Sequence, residues 1–136
     1  MLKSVNLRDY MVSHPVKVKP DDNIFEAMKI ISDHKISGLC VVEDDDTLVG
    51  VLSEMDCLRA VLGEIYNEGG LGPVRDYMTS ENLIVAHPNE DIVDVANDML
   101  KRNKRRRPVV ENGKLIGQIT IRHIMKAVRS FQRSHA

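Results

Sequence analysis

At 136 residues the chain suffices for one compact domain or for two small halves that share a core. A hydrophobic share of 43% is ordinary, but aromatic residues make up only 4% and tryptophan is absent, so Val, Ile, Leu and Met must build the core. The formal charge of −1 argues against a global attraction to nucleic acid or acidic membranes, and no apolar stretch approaches the ~20 residues that span a bilayer.

The chain opens on MLKSVNLRDYM, which lacks the apolar run of a signal peptide. A short extended piece is expected at Val16–Val18. Asn23-Ile24-Phe25-Glu26 has the pattern of a capping box, and Ile24, Ala27, Met28 and Ile31 follow at helical spacing. The run Leu39–Val42 predicts a strand, Asp44–Thr47 a turn, Leu48–Leu52 a second strand, and a helix starts at Ser53. Cys40 and Cys57 lie among apolar residues without C-x-x-C spacing or zinc partners; buried free thiols and a cytoplasmic location are expected. Gly69-Gly70-Leu71-Gly72-Pro73 reads as a linker. Beyond it come an extended piece at Leu83–Val85 and a helix carrying Ile92, Val95, Ala96 and Met99 after Asp91. A strand follows at Pro108–Val110, then the turn Asn112-Gly113, a strand at Leu115–Ile119 and a helix from Thr120. Asn-Gly is a strong two-residue hairpin signal because both residues tolerate positive φ.

The second half repeats the first. Arg8-Asp9-Tyr10-Met11 recurs as Arg75-Asp76-Tyr77-Met78 at an offset of 67, and Val41-Val42-Glu43 as Val109-Val110-Glu111 at 68. Gly50 recurs as Gly117 and Ser53 as Thr120, again at 67. This duplication predicts an α/β (α+β) chain of two strand–helix–strand–strand–helix repeats, 1–68 and 74–136, joined by the linker 69–73. A repeat of this size buries too little surface alone, so the two are expected to pack sheet against sheet about a pseudo-twofold axis.

In order and in duplicate, these segments resemble the cystathionine-beta-synthase (CBS) domain, which occurs as tandem pairs called Bateman modules. The most specific element is Val49-Gly50-Val51-Leu52-Ser53-Glu54-Met55-Asp56, similar to the family's glycine–apolar–Ser/Thr–x–x–Asp signature. Gly38–Val42 and Arg107-Pro108-Val109-Val110 resemble the preceding strand, and the Asp-Tyr-Met tripeptides the helix that opens each repeat. The resemblance implies a regulatory module that binds an adenosine ligand (AMP, ADP, ATP or S-adenosylmethionine) in a cleft between the repeats, with no cofactor required. It also implies a homodimer and an effector protein as partners.

The implied roles fall unequally on the two copies. Asp56 is the expected ribose acceptor, because an ionised carboxylate takes two hydroxyl hydrogens at once. Ser53 with Arg105, Arg106 and Arg122 is expected on the phosphate side. Adenine is expected near Ile36, Val51 and Ile84, with Ser37 beside them. In the second copy His123 replaces the aspartate after Thr120, and imidazole cannot grip a diol with two acceptors. One nucleotide per chain is therefore expected, and the three arginines favour a phosphorylated ligand over S-adenosylmethionine. Plain structural roles compete with these. Ser53 and Thr120 are good N-caps with Asp56 favoured at N3, Lys101, Arg102 and Lys104 suit a solvated helix end, and His14 and His87 suit surface loops. Met11, Met78, Met99 and Met125 suit core or dimer-interface filling.

Two other functions are weighed. Six of the seven residues Lys101–Arg107 are basic, a density suited to nucleic-acid or protein contact, but no aromatic platform accompanies them. For an enzyme, no activated nucleophile, metal cluster or P-loop is visible, and a Ser53–His123 pair would lack an oxyanion hole and an orienting acid.

Overall fold

The computed structural model describes residues 4–67 and 69–134. They divide into two compact units, one of Val16–Leu83 and one joining the first fifteen residues to the stretch from Ile84 onward.

In the first of these units a three-stranded sheet runs in the order β2 (Lys17–Val18), β3 (Gly38–Val42), β4 (Leu48–Ser53). β2 is parallel to β3, with Lys17 opposite Cys40, and β4 is antiparallel to β3, with Cys40 opposite Val51. All five β3 residues are buried, as the continuous apolar run requires. α1 (Ile24–His34) lays Ile24, Ala27 and Ile31 onto Leu39, Val41 and Leu52. α2 (Glu54–Asn67) follows β4 directly and adds Cys57 to that core. A 3-10 turn at Val74–Asp76 completes the unit. Its Val74 and Arg75 N–H groups donate to the Asp22 and Pro20 carbonyls, both at 2.9 Å, and Val74 is fully buried.

The other unit mirrors this plan. Its sheet runs β1 (Val12–Ser13), β6 (Lys114–Thr120), β5 (Arg106–Glu111), antiparallel throughout. α3 (Ile92–Arg102) and α4 (Ile121–Ser134) flank it in sequence, and Leu7, Tyr10, Ile92, Val95, Met99, Val109 and Ile119 form the core. The 3-10 turn Leu7–Asp9 docks by Leu7 N–H to the Glu90 carbonyl at 2.9 Å. The compact units are thus offset from the sequence repeats 1–68 and 74–136. The turn that opens each repeat packs with the helix and sheet of the other repeat, since its apolar residues, Leu7 and Val74, are buried there.

Helix ends follow the local chemistry. Asn23 and Asp91 accept the N–H of Phe25 and Val93 at 2.8 and 2.7 Å, which caps α1 and α3, while Glu26 is exposed. Lys35 and Asn103 end the same helices in the left-handed conformation, and the next N–H reaches back to Ile31 and Met99 respectively. Asn112 and Gly113 have φ of 55° and 79°, the paired positive values of the expected hairpin turn.

Two expectations need correction. Leu83–Val85 forms no strand; the parallel pairing falls one residue later, where fully buried Ala86 bridges Val109. The segments expected to open each repeat as helices are three-residue 3-10 turns. Of the methionines expected to fill a core or a dimer interface, Met99 is buried in the core and Met125 is 60% exposed, which leaves it only the second of those roles.

Candidate ligand-binding residues

Ser53 ends β4 and Asp56 lies in the first turn of α2. Their bonds are reciprocal: Ser53 N–H donates to Asp56 Oδ2 at 2.9 Å, and Asp56 N–H donates to Ser53 Oγ at 3.0 Å. This is a capping box closed by aspartate. Arg59, one turn on, donates from Nη1 to Asp56 Oδ1 at 2.8 Å. The carboxylate side chain is only 13% exposed and its direction is fixed from both sides. Each oxygen has one bond within the chain, and each retains further acceptor capacity.

Ile36 and Ser37 follow the left-handed cap of α1. The Ser37 carbonyl accepts the Glu54 N–H at 2.9 Å, which ties that corner to the start of α2. Val51 sits mid-β4 and exchanges two backbone bonds of 2.9 Å with Thr79. Asp56 and Ile36 open onto different cavities of this unit. A cavity of about 380 Å³ is lined by Asp56, Arg59, Gly63, Leu71 and Tyr77. Another of about 470 Å³ is lined by Ile31, Lys35, Ile36, Ser37 and Glu54.

The other unit repeats the corner with different chemistry. The Arg105 carbonyl accepts the Ile121 N–H at 3.0 Å, and Arg106 pairs with Thr120 across the β5–β6 ladder. His123 N–H donates to Thr120 Oγ1 at 3.1 Å, and the Thr120 hydroxyl meets His123 Nδ1. Burial, followed by Lys126 and Arg122, holds the imidazole below its usual pKa. A neutral ring accepting at Nδ1 leaves Nε2 as its donor. Arg105 and Arg122 are exposed, Arg106 is half-buried, and Ile84 is half-buried in the segment before Ala86. The structure therefore gathers Ile36, Ser37, Val51, Ser53 and Asp56 in one unit, and Ile84, Arg105, Arg106, Thr120, Arg122 and His123 in the other.

The family profile of the CBS domain matches residues 7–63 and again 74–130. The chain belongs to the CBS domain family. It is 40% identical over 118 residues to inosine-5'-monophosphate dehydrogenase of Aquifex aeolicus; the match covers 85% of this chain but only 23% of that enzyme. Among solved structures, CBSX2 in complex with AMP aligns with a TM-score of 0.84 at 30% identity, covering 95% of this chain and 99% of that one. The CBS domain pair of MJ0100, in complex with 5'-methylthioadenosine and S-adenosyl-L-methionine, aligns at 0.75 and 27%, covering 90% and 98%.

Each CBS repeat keeps its signature glycine for a steric reason. A Cβ at Gly50 would lie 2.9 Å from the Thr79 carbonyl oxygen, and one at Gly117 would lie 2.7 Å from that of Val12. The close strand contact admits no side chain at either place.

The basic run before the second repeat's central strand is partly neutralised. Arg107, only 5% exposed, donates to Asp98 Oδ2 at 2.6 Å, and Arg102 donates to the same oxygen at 2.9 Å. Arg107 foremost, with Arg102, holds the Asp98 carboxyl below the usual carboxylate range. Neither arginine is a free phosphate contact. Sequence reasoning missed Asp98 as the anchor of the run and Arg59 as the partner of Asp56. Only their helical spacings, Asp98–Arg102 at i,i+4 and Asp56–Arg59 at i,i+3, hinted at either. Among the described residues no helix is long and apolar enough to cross a membrane, and no group of three or more His, Cys, Asp or Glu could hold a metal ion.

Proposed function

We propose that this CBS pair is a regulatory module that binds an adenine nucleotide and does not itself catalyse a reaction. The observation that carries the reading is the Asp56 carboxylate, nearly buried and aimed by Ser53 and Arg59, in a chain related to a protein described in complex with AMP. In this reading Asp56 accepts the ribose hydroxyls, and Arg105, Arg106 and Arg122 take the phosphate. Ser53, Ser37, Ile36, Val51 and Ile84 complete the contacts. Thr120 and His123 form a lesser site, because a neutral imidazole offers at most one acceptor nitrogen where a carboxylate offers two oxygens to a diol. Phosphate contacts favour AMP, ADP or ATP over S-adenosylmethionine. The ligand signals through a homodimer or to an effector protein.

The homodimer finds support in α2, whose Met55, Leu58, Leu62, Ile65 and Tyr66 are all exposed, Tyr66 to 83%. These residues line one side of the helix and form an apolar stripe of the sort that marks an interaction surface.

A thermal-shift series with AMP, ADP, ATP, GTP and S-adenosylmethionine tests the ligand. The variant is Asp56→Asn, which keeps an acceptor for the Ser53 N–H but loses the second carboxylate oxygen. A nucleotide at 100 times its dissociation constant should stabilise the wild type by about 2.7 kcal/mol. The variant should lose most of this shift. Unchanged melting with every adenosine ligand at millimolar concentration would leave Asp56 as a helix cap and refute the reading.

A further inference from the structure

Arg59 and Asp56 make an unequal pair. The arginine side chain is 69% exposed, while the carboxylate to which it donates at 2.8 Å is 13% exposed. Solvent screens an ion pair that is open on one side, so this one breaks easily. Other partners stand close by. Glu64 and Asp76 line the same cavity of about 380 Å³ as Asp56 and Arg59, and neither enters an ion pair among the described residues. Gly63, four residues beyond Arg59 on α2, lines that cavity too. Glycine inside a helix is destabilising relative to alanine, and packing does not require this one. A Cβ at Gly63 would meet nothing within 4 Å beyond the backbone of α2 itself.

We infer that Arg59 is a latch on Asp56: it swings past Gly63 to Glu64 or Asp76 when a ribose diol takes its place. This rests on the nucleotide reading of Asp56 and adds how access to that residue is controlled. Oδ2 is held inside the capping box by the Ser53 N–H, which leaves Oδ1 and its guanidinium to meet the ligand. A carboxylate with so little open surface takes either the guanidinium or two hydroxyls as its outward partner, not both. Side chains at i and i+4 are neighbours on a helix, so a glycine at position 63 keeps the passage clear. Asp76 ends the turn that opens the second repeat. A latch seated there ties α2 to that turn and registers the ligand at a distance from the ribose. At the offset of 67 the other repeat carries His123, Lys126 and Ser130 in place of Asp56, Arg59 and Gly63, so the latch belongs to one copy.

Calorimetric titration of AMP, ADP and ATP into the full chain, into Arg59→Met, into Gly63→Leu and into the double variant tests the latch. Arg59→Met keeps a long apolar stem and removes the guanidinium. It should bind nucleotide about threefold tighter, the size of an exposed ion pair. Charge alone predicts the opposite sign, since the lost cation attracts an anionic ligand. Gly63→Leu should raise the melting temperature, because leucine suits a helix better, and yet bind nucleotide about threefold more weakly. In the Arg59→Met background, Gly63→Leu should change binding by less than about twofold. Binding by Arg59→Met that equals or falls below the wild type overturns the latch and leaves the nucleotide reading standing. So does a Gly63→Leu loss that persists without Arg59, which would mean that leucine fills the cavity itself. If neither wild type nor Arg59→Met binds any of the three nucleotides, the nucleotide reading falls and the latch falls with it.

Discussion

Asp56 commits one bond from each carboxylate oxygen to its own chain, and this separates its structural role from any role toward a ligand. Ser53→Ala removes the hydroxyl that caps α2 but leaves the carboxylate in place. It should cost about 1 kcal/mol of stability, read as a lower urea midpoint, with less loss of nucleotide binding than Asp56→Asn. In the other unit, His123 has a folded-state pKa below its unfolded value. Its neutral form therefore contributes stability that is complete above about pH 6.5 and is lost as the pH falls through the folded-state value. His123→Gln should flatten the melting-temperature profile below about pH 6.5; an unchanged slope would show that His123 contributes nothing to it. At Asp98 the prediction concerns a buried cation. Asp98→Ala takes the carboxylate from Arg107 and should lower the melting temperature more than Asp94→Ala on the same helix.

At the scale of elements, the glycines of β4 and β6 decide how closely the 3-10 turn segments approach. Gly117→Ala would push a methyl group against the Val12 carbonyl and should open the β1–β6 pairing, costing about 1–3 kcal/mol. Faster amide exchange at Ser13 and Gln118 would report it. Elements with a local signal were legible in the sequence. Asn112-Gly113 announced its turn, Asn23 and Asp91 their helix starts, and Ser53 with Asp56 both the cap and the family signature. Elements made by distant pairing were not. β1 is two residues long, too short for alternation, and exists because β6 supplies its partner. Ala86 likewise has no strand around it, and Val109 defines its bridge. The Asp98–Arg107 contact joins a helix to a strand, so the seven-residue basic run looked more uniform in sequence than its pairing makes it.

Across the molecule, the same chain reads as neutral or as strongly polar according to where the boundary between its units is drawn. Summed over the whole sequence the charges nearly cancel, and the total speaks only against nonspecific attraction to polyanions. Divided between the compact units they become −8, six Lys and Arg against fourteen Asp and Glu, and +7, thirteen against six, values of the size that steer association.

The offset between repeats and units sets an order on synthesis at the ribosome. Val16–Leu83 is contiguous, so all its internal partners are available once its last residue has emerged. The preceding segment, with Leu7, Tyr10 and Val12, cannot: its partners on α3 and β6 are translated about a hundred residues later. Until then these apolar side chains lack their partners, a window in which a chaperone or a neighbouring nascent chain can capture them. In pulse-labelled refolding, amides of β3 and β4 should gain protection before those of β1 and β6, since closing the longer loop is the slower step.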